Sequence, residues 1–300
     1  MDTEPIRIDD FLRGLAGQRV QYCPNPGNAG DALIAVATYD LFRKHGIEYS
    51  LVGSAPIGPR DLAGEVVIYG GGGSLNNYFQ AAARFVERHL HTAKRLIILP
   101  QTIAGHEELL GSLGSNVDVL CRERISYEHA RSNARRARVH LCDDLVFDLD
   151  LQSAMRHRPT LREWLPRRRR WMANEALFAA LRLKKVLLDH GSVSRTVLHC
   201  FRGGPDRPDM RVPADNIDVS ALLGRALHTE AEARFTAGRF LRFLASFDTI
   251  HASRLHVAIA GALLGKAVHM YPNRFYKNQA VYEFSLKERF PNVIWMGPAQ

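Results

Sequence analysis

The chain has 300 residues, more than one typical domain and enough to bury a full core. Its 46% hydrophobic and 24% charged residues are ordinary for a globular protein, and its formal charge of +9 favours anionic partners: nucleic acid, an acidic membrane face or phosphorylated substrates. The acidic start MDTEPIRIDD is expected not to be a secretory signal, the apolar run Val257 to Gly265 is too short to span a bilayer, and Cys23, Cys121, Cys142 and Cys200 form no CxxC pair. These features favour a reduced, cytoplasmic protein over a disulfide-framed, zinc-binding or membrane-spanning one.

In chain order, Arg19 to Cys23 reads as a short strand. The turn-rich PNPGNAGD follows, then helical spacing over Ala32 to His45 with basic residues in the last turn. Ile47 to Val52 and Glu65 to Tyr69 are the next strand candidates. After the latter come GGGGS and a helix expected from about Leu75 to His91. Strands are predicted over Arg95 to Leu99, Val117 to Cys121 and Val139 to Cys142, with a helix over Ile125 to Arg136. The alternation predicts a parallel sheet with helices on both faces and ligands at the carboxyl ends of its strands.

The pattern breaks over residues 151–185, an Arg-rich stretch with helical parts that reads as a connection between an N-terminal domain, 1–150, and a C-terminal one, 186–300. In the latter, strands are expected over Thr196 to Arg202, Thr249 to Ala252, Ala267 to Tyr271 and Val293 to Met296. Helices are expected over Ala231 to Ala245 and Leu255 to Leu264.

Several motifs carry chemistry. The segment Thr249 to Tyr282 has no Asp or Glu but contains Arg254, Lys266, Arg274 and Lys277 with three histidines, a composition suited to a small, highly charged anion. Within it Arg254 and His256 open an apolar helix, where the Arg can grip a carboxylate or phosphate and the His can exchange a proton. In GNAGD, Gly27 to Asp31, glycines at a helix start let backbone N–H groups approach an anion. Asp31 is open to two readings, helix N-cap or general base. Gly70 to Ser74 suggests close approach to a ligand or to the other domain, against the alternative of a tight turn. Gln101 and Arg122 follow strands and are expected to face the same cleft, although Glu123 makes a surface ion pair the plain alternative for Arg122. Arg167 to Arg170, flanked by Trp164 and Trp171, fits a solvated linker first, and otherwise an anionic membrane surface or nucleic acid.

Taken together, GNAGD, GGGSL, LPQTIAG, the Arg122-Glu-x-x-Ser126 element, SRLHVAIAGALLGKAV and YKNQAVYE resemble the polysaccharide pyruvyl transferases, from about residue 20 to residue 294. The resemblance implies an α/β protein of two Rossmann-like domains facing across a cleft, as in GT-B glycosyltransferases. It implies phosphoenolpyruvate as donor and sugar hydroxyls, free or on a lipid-linked oligosaccharide, as acceptor, with a cyclic pyruvate ketal as product and no cofactor or metal. The family's donor-contacting pattern falls on Arg122, Arg254, Leu255 and His256. The wider expected site adds Asn28, Gly30, Gly72, Gly73, Ser74, Gln101 and Lys277 as binding residues, His256 as acid and Asp31 as base. The family often carries an acid soon after the Arg matched by Arg202, and here GGPD follows. A nucleotide-sugar glycosyltransferase and a non-catalytic basic module, including a nucleic-acid binder, are the competing readings. The first is disfavoured by the missing carboxylate in Thr249 to Tyr282, the second by the lack of a nucleic-acid motif.

Overall fold

A computed structural model describes residues 4–53, 62–188, 196–223 and 229–298. Helix α1 (Ile8–Arg13) precedes β1 (Arg19–Cys23), α2 (Ala29–Lys44), β2 (Glu48–Leu51), β3 (Val66–Tyr69), β4 (Gly72–Leu75), α3 (Ala81–His89) and β5 (Arg95–Ile103). Then come α4 (Glu107–Ser112), β6 (Val117–Cys121), α5 (Arg124–Asn133) and β7 (Arg138–Leu141). After a short 3-10 turn, α6 (Leu151–Arg156) and the 28-residue α7 (Leu161–Leu188) lead to the second half. That half holds β8 (Val197–Cys200), α8 (Val219–Leu223), α9 (Glu230–Ala245), β9 (Thr249–Ala252), α10 (Leu255–Leu263), β10 (Ala267–Met270), α11 (Lys277–Val281), which runs into a π-helical turn, and β11 (Val293–Trp295).

The strands form two parallel sheets. The first runs β2-β1-β3-β5-β6-β7, with β4 paired to the far end of β5, and the second runs β11-β10-β9-β8. In the first sheet the chain order reverses at β1, so the loops after β1 and β3 open on a switch point where α/β sheets bind ligands. Burial on both faces explains why the central strand β5 carries the unbroken apolar run LIIL.

Two expectations change. The helix placed over Leu75 to His91 begins only at Ala81, because Gly72–Leu75 is a strand along β5, itself continuing through Pro100 to Ile103. Asn76 then turns the chain, its side-chain oxygen accepting from the N–H groups of Tyr78 and Phe79. Helix α2 begins at Ala29 rather than Ala32, and Asn28, not Asp31, is its N-cap.

One apolar core is continuous between the sheets. Residues facing the first sheet, such as Ile68, Ile97 and Leu120, join those of α2 (Leu33, Ile34, Val36), α9 (Phe240, Leu241, Leu244) and the second sheet (Leu198, Ile250, Val268) in one buried cluster. Helix α2 packs against α8, α9 and α10, so it belongs structurally to both halves. A separate core on the other face of the first sheet involves α3 and α5. Phe240 is fully buried in the shared cluster, so Phe240→Ala is expected to cost about 3–5 kcal/mol. Chemical denaturation followed by both near- and far-UV circular dichroism should show that loss in one cooperative transition; two separated transitions would contradict a shared core.

Candidate active site

The loops at the carboxyl ends of β1, β3, β6, β8 and β9 surround a cavity of about 520 Å³. Its floor on the first-half side is the start of α2. Asn28 Oδ1 accepts from Gly30 N–H at 2.8 Å, and Asp31 Oδ2 accepts from Asn28 N–H at 2.8 Å, a reciprocal capping box. The other Asp31 oxygen accepts from Asn25 Nδ2 at 2.8 Å, and Tyr69 donates to Asn25 Oδ1. Asp31 is therefore firmly oriented, with its carboxylate on the cavity wall.

The opposite side is the start of α10. No side chain caps that helix, so its amino end faces the cavity with its partial positive charge intact. The two helix starts touch at one point. A Cβ on Gly30 would lie 2.3 Å from His256 Nδ1, so a glycine is what allows the imidazole to sit against α2.

Beneath this contact lies a buried charged cluster. Arg122 donates through Nε to Thr102 Oγ1 at 2.8 Å and through Nη1 to Asp144 Oδ2 at 2.7 Å. His256 Nε2 lies 3.3 Å from the same Asp144 oxygen and 3.4 Å from Arg122 Nη1. Protonated, Nε2 donates to Asp144; unprotonated, it accepts from Arg122. Burial alone would raise the Asp144 carboxyl, but His256 and Arg122 outweigh it and hold the group well below the usual carboxylate range. The other edge of the Arg122 fork, Nη2, looks toward Gly73 on the wall.

The remaining cations are held in the same way. Arg254 grips Asp218 with Nε and Nη2, the first at 2.8 Å, as a two-point fork. Arg202 and Lys277 share Asp206, which is fully buried; Lys277 Nζ donates to it at 2.6 Å. Burial, followed by the nearby Arg202, depresses the Lys277 ammonium to about 8 despite Asp206. The Phe79 ring lies beneath both cations, 5.2 Å from the Arg202 guanidinium carbon and 6.0 Å from Lys277 Nζ. Among the described residues the wall thus presents Arg122, Arg202, Arg254, Lys277 and His256 against a single carboxylate, Asp31, while Asp144, Asp206 and Asp218 stand behind the cations they orient.

Residues 28–274 match the family described as Polysaccharide pyruvyl transferase. The chain belongs to that family. Membership makes it a transferase of pyruvyl groups in polysaccharide chemistry. A Bacillus subtilis (strain 168) protein named "Putative pyruvyl transferase EpsO" is 24% identical over 286 residues, covering 90% of this chain and 85% of that one. The crystal structure of a functionally uncharacterized protein, KP1_0663 from Klebsiella pneumoniae subsp. pneumoniae NTUH-K2044, superposes with a TM-score of 0.72 at 27% identity, covering 97% of each chain.

Within this pyruvyl transferase the expected site residues divide by position. Asn28, Asp31, Gly73, Ser74, Arg122, Arg254, Leu255, His256 and Lys277 reach the cavity wall. Gln101 does not: it is fully buried, its Nε2 donating to Gly70 O at 2.7 Å and its Oε1 accepting from Ser74 N–H at 3.0 Å, so it braces the glycine loop from behind. Gly72 also stands back, at φ 138°, where a Cβ would strike Asn25. Gly30 supports His256 rather than lining the cavity. The acid-free composition of Thr249 to Tyr282 does not produce an acid-free site, because Asp144, Asp206 and Asp218 enter from other elements. Asp144, Asp218 and Phe79 are members the sequence does not single out; Arg202 and Asp206, the acid of the GGPD stretch after it, are noted in the sequence but not among the expected site residues. Among the described residues no group of three or more His, Cys, Asp or Glu could hold a metal ion.

Gly30→Ala should push the imidazole off α2, with an overpacking cost of about 1–3 kcal/mol and a disproportionate loss of turnover. Thermal unfolding together with steady-state kinetics checks this, and a variant with normal turnover would show that the helix-to-imidazole contact is dispensable.

Proposed function

We propose that this enzyme transfers the pyruvyl group of phosphoenolpyruvate onto two hydroxyls of one sugar residue, closing a cyclic ketal and releasing phosphate. The observation carrying this reading is the convergence of Arg122, Arg202, Arg254 and Lys277 with His256 on one small cavity. Phosphoenolpyruvate bears a phosphate and a carboxylate about one small molecule apart, and guanidinium forks fixed by Asp144, Asp206 and Asp218 are preorganised to receive both ends. On this reading the two α/β halves act as Rossmann-like domains facing a GT-B-like cleft. The acceptor is a cytoplasmic sugar or lipid-linked oligosaccharide destined for an exopolysaccharide or cell-surface glycan.

His256 delivers a proton to C3 of the donor, giving C2 oxocarbenium character. A first sugar hydroxyl adds to C2 and loses its proton to Asp31. The C2–O bond to phosphate breaks, a second hydroxyl closes the ring, and its proton leaves with phosphate. Asp144 beside His256 stabilises the imidazolium before transfer. The carboxylate behind Arg254, Asp218, does not line the cavity wall, which favours a donor without ribose hydroxyls.

His256→Ala should retain donor affinity and lose turnover by about 100-fold or more, as expected for a general acid. Arg254→Ala should weaken donor affinity by about 1.5–3 kcal/mol in calorimetry. Near-normal turnover in the first variant, or unchanged affinity in the second, would remove the assigned role. Thermal stabilisation by nucleoside diphosphates but not by phosphoenolpyruvate would favour the glycosyltransferase reading.

Lys277 gives a pH signature with two opposite signs. Deprotonation as pH rises through about 8 removes a cation, so donor affinity falls. Over the same interval, up to the ordinary lysine range, the unfolded chain binds more protons than the native one, so the Lys277 contribution to stability rises with pH. Calorimetry and denaturation across this range should show both trends, and Lys277→Arg should remove the fall in affinity. Constant donor affinity in the wild type across that range would contradict the assignment.

A further inference from the structure

Among its described residues, the long helix α7 is attached through the side that carries Arg167 and Trp171. Trp171 is buried and stacks on Phe235 of α9, with ring centroids 4.2 Å apart. Arg167 lies over the Trp171 ring and reaches Glu232 at 3.5 Å and Thr229. The opposite side faces outward and carries an unusual pair of features.

The first is apolar. Leu161, Leu165 and Met172 are 69%, 46% and 59% exposed. Their spacing, four and then seven residues, places them in one stripe along the helix. The second is charge. Arg168 falls in the same stripe, Arg162 and Arg169 flank it, and Arg156 and Arg158 lie just before the helix, all exposed. Among the described residues none of these five arginines has a carboxylate within ion-pair distance, and the side chain of Arg170 lies outside the described residues. The acids of this stretch are already engaged: Glu163 accepts from the Thr160 N–H and hydroxyl, and Glu175 pairs with Arg239. Among the described residues, nothing on the helix therefore neutralises the cationic face.

We propose that this face of α7 docks on the surface of a lipid bilayer containing anionic headgroups. Unpaired arginines match anionic headgroups, and a leucine–methionine stripe between them matches the acyl boundary just beneath. A nucleic acid would satisfy the arginines but not the stripe. Single-strand binders use exposed aromatic platforms, whereas Trp171 is spent on Phe235. No helix among the described residues is long and apolar enough to cross a membrane, so the contact is one of lying on the surface. Arg167, on the attached side of α7, reaches Thr229, eight residues beyond Ala221 of the cavity wall in sequence.

Vesicle flotation of the full chain tests this with phosphatidylcholine alone and with added phosphatidylglycerol. The protein should float with the anionic vesicles and not with the neutral ones. Arg168→Gln/Arg169→Gln should weaken binding about tenfold or more, since each basic residue near such a surface contributes roughly fivefold. Leu165→Ser/Met172→Ser, which leaves charge unchanged, should also weaken it several-fold. All four side chains are exposed, and unchanged thermal unfolding of each variant checks that the fold is intact. Absence of wild-type binding to anionic vesicles overturns the proposal. So does full binding by the serine variant, because a purely electrostatic surface would then be reading any polyanion, as competition by single-stranded RNA would demonstrate.

Discussion

The arrangement depends on one buried charged contact, the meeting of Arg122 and Asp144 from the first half with His256 from the second. Leaving any one of these groups unpaired in that setting would be costly, so the three fix each other's positions and with them the relation of α2 to α10. Gly30 makes the approach sterically possible. The shared apolar core through α2 and α9 then surrounds the polar contact with close packing. The same carboxylate serves an arginine and an imidazole together, beside a cavity lined by cations.

The same device recurs around the wall. Asp218 orients Arg254, and Asp206 orients both Arg202 and Lys277. Each pairing uses part of a cation's donor set and leaves the rest directed at the cavity. Such forks lose little freedom when a ligand arrives, which is how a small molecule with few atoms can be held firmly. Membership in the polysaccharide pyruvyl transferase family agrees with a site of this size and charge.

Local signals were legible and distant partnerships were not. The strands Arg19–Cys23, Val117–Cys121 and Thr249–Ala252 follow directly from short apolar or alternating runs bounded by turns. The start of α2 was misplaced because Asn28 and Asp31 both suit a cap, and only the reciprocal hydrogen bonds decide between them. The glycine run was harder: apolar residues after Leu75 imitate a helix, whereas pairing with the extension of β5 makes Gly72–Leu75 a strand. Gln101 lies on that extension, which turns its side chain under the loop instead of into the cavity. Cationic residues could be gathered from composition and resemblance. Their acids could not, since Asp144, Asp206 and Asp218 lie far from His256, Lys277 and Arg254 in sequence and meet them only through the packing of the sheets.

The central claim, proton delivery to the donor's methylene carbon in a cation-lined cavity, is tested most directly by turnover in deuterium oxide with phosphoenolpyruvate and a saccharide acceptor. Mass spectrometry of the product should find one deuterium in the methyl group of each transferred pyruvyl unit, with one inorganic phosphate released per transfer. A product methyl free of deuterium, or transfer without phosphate release, would contradict the account.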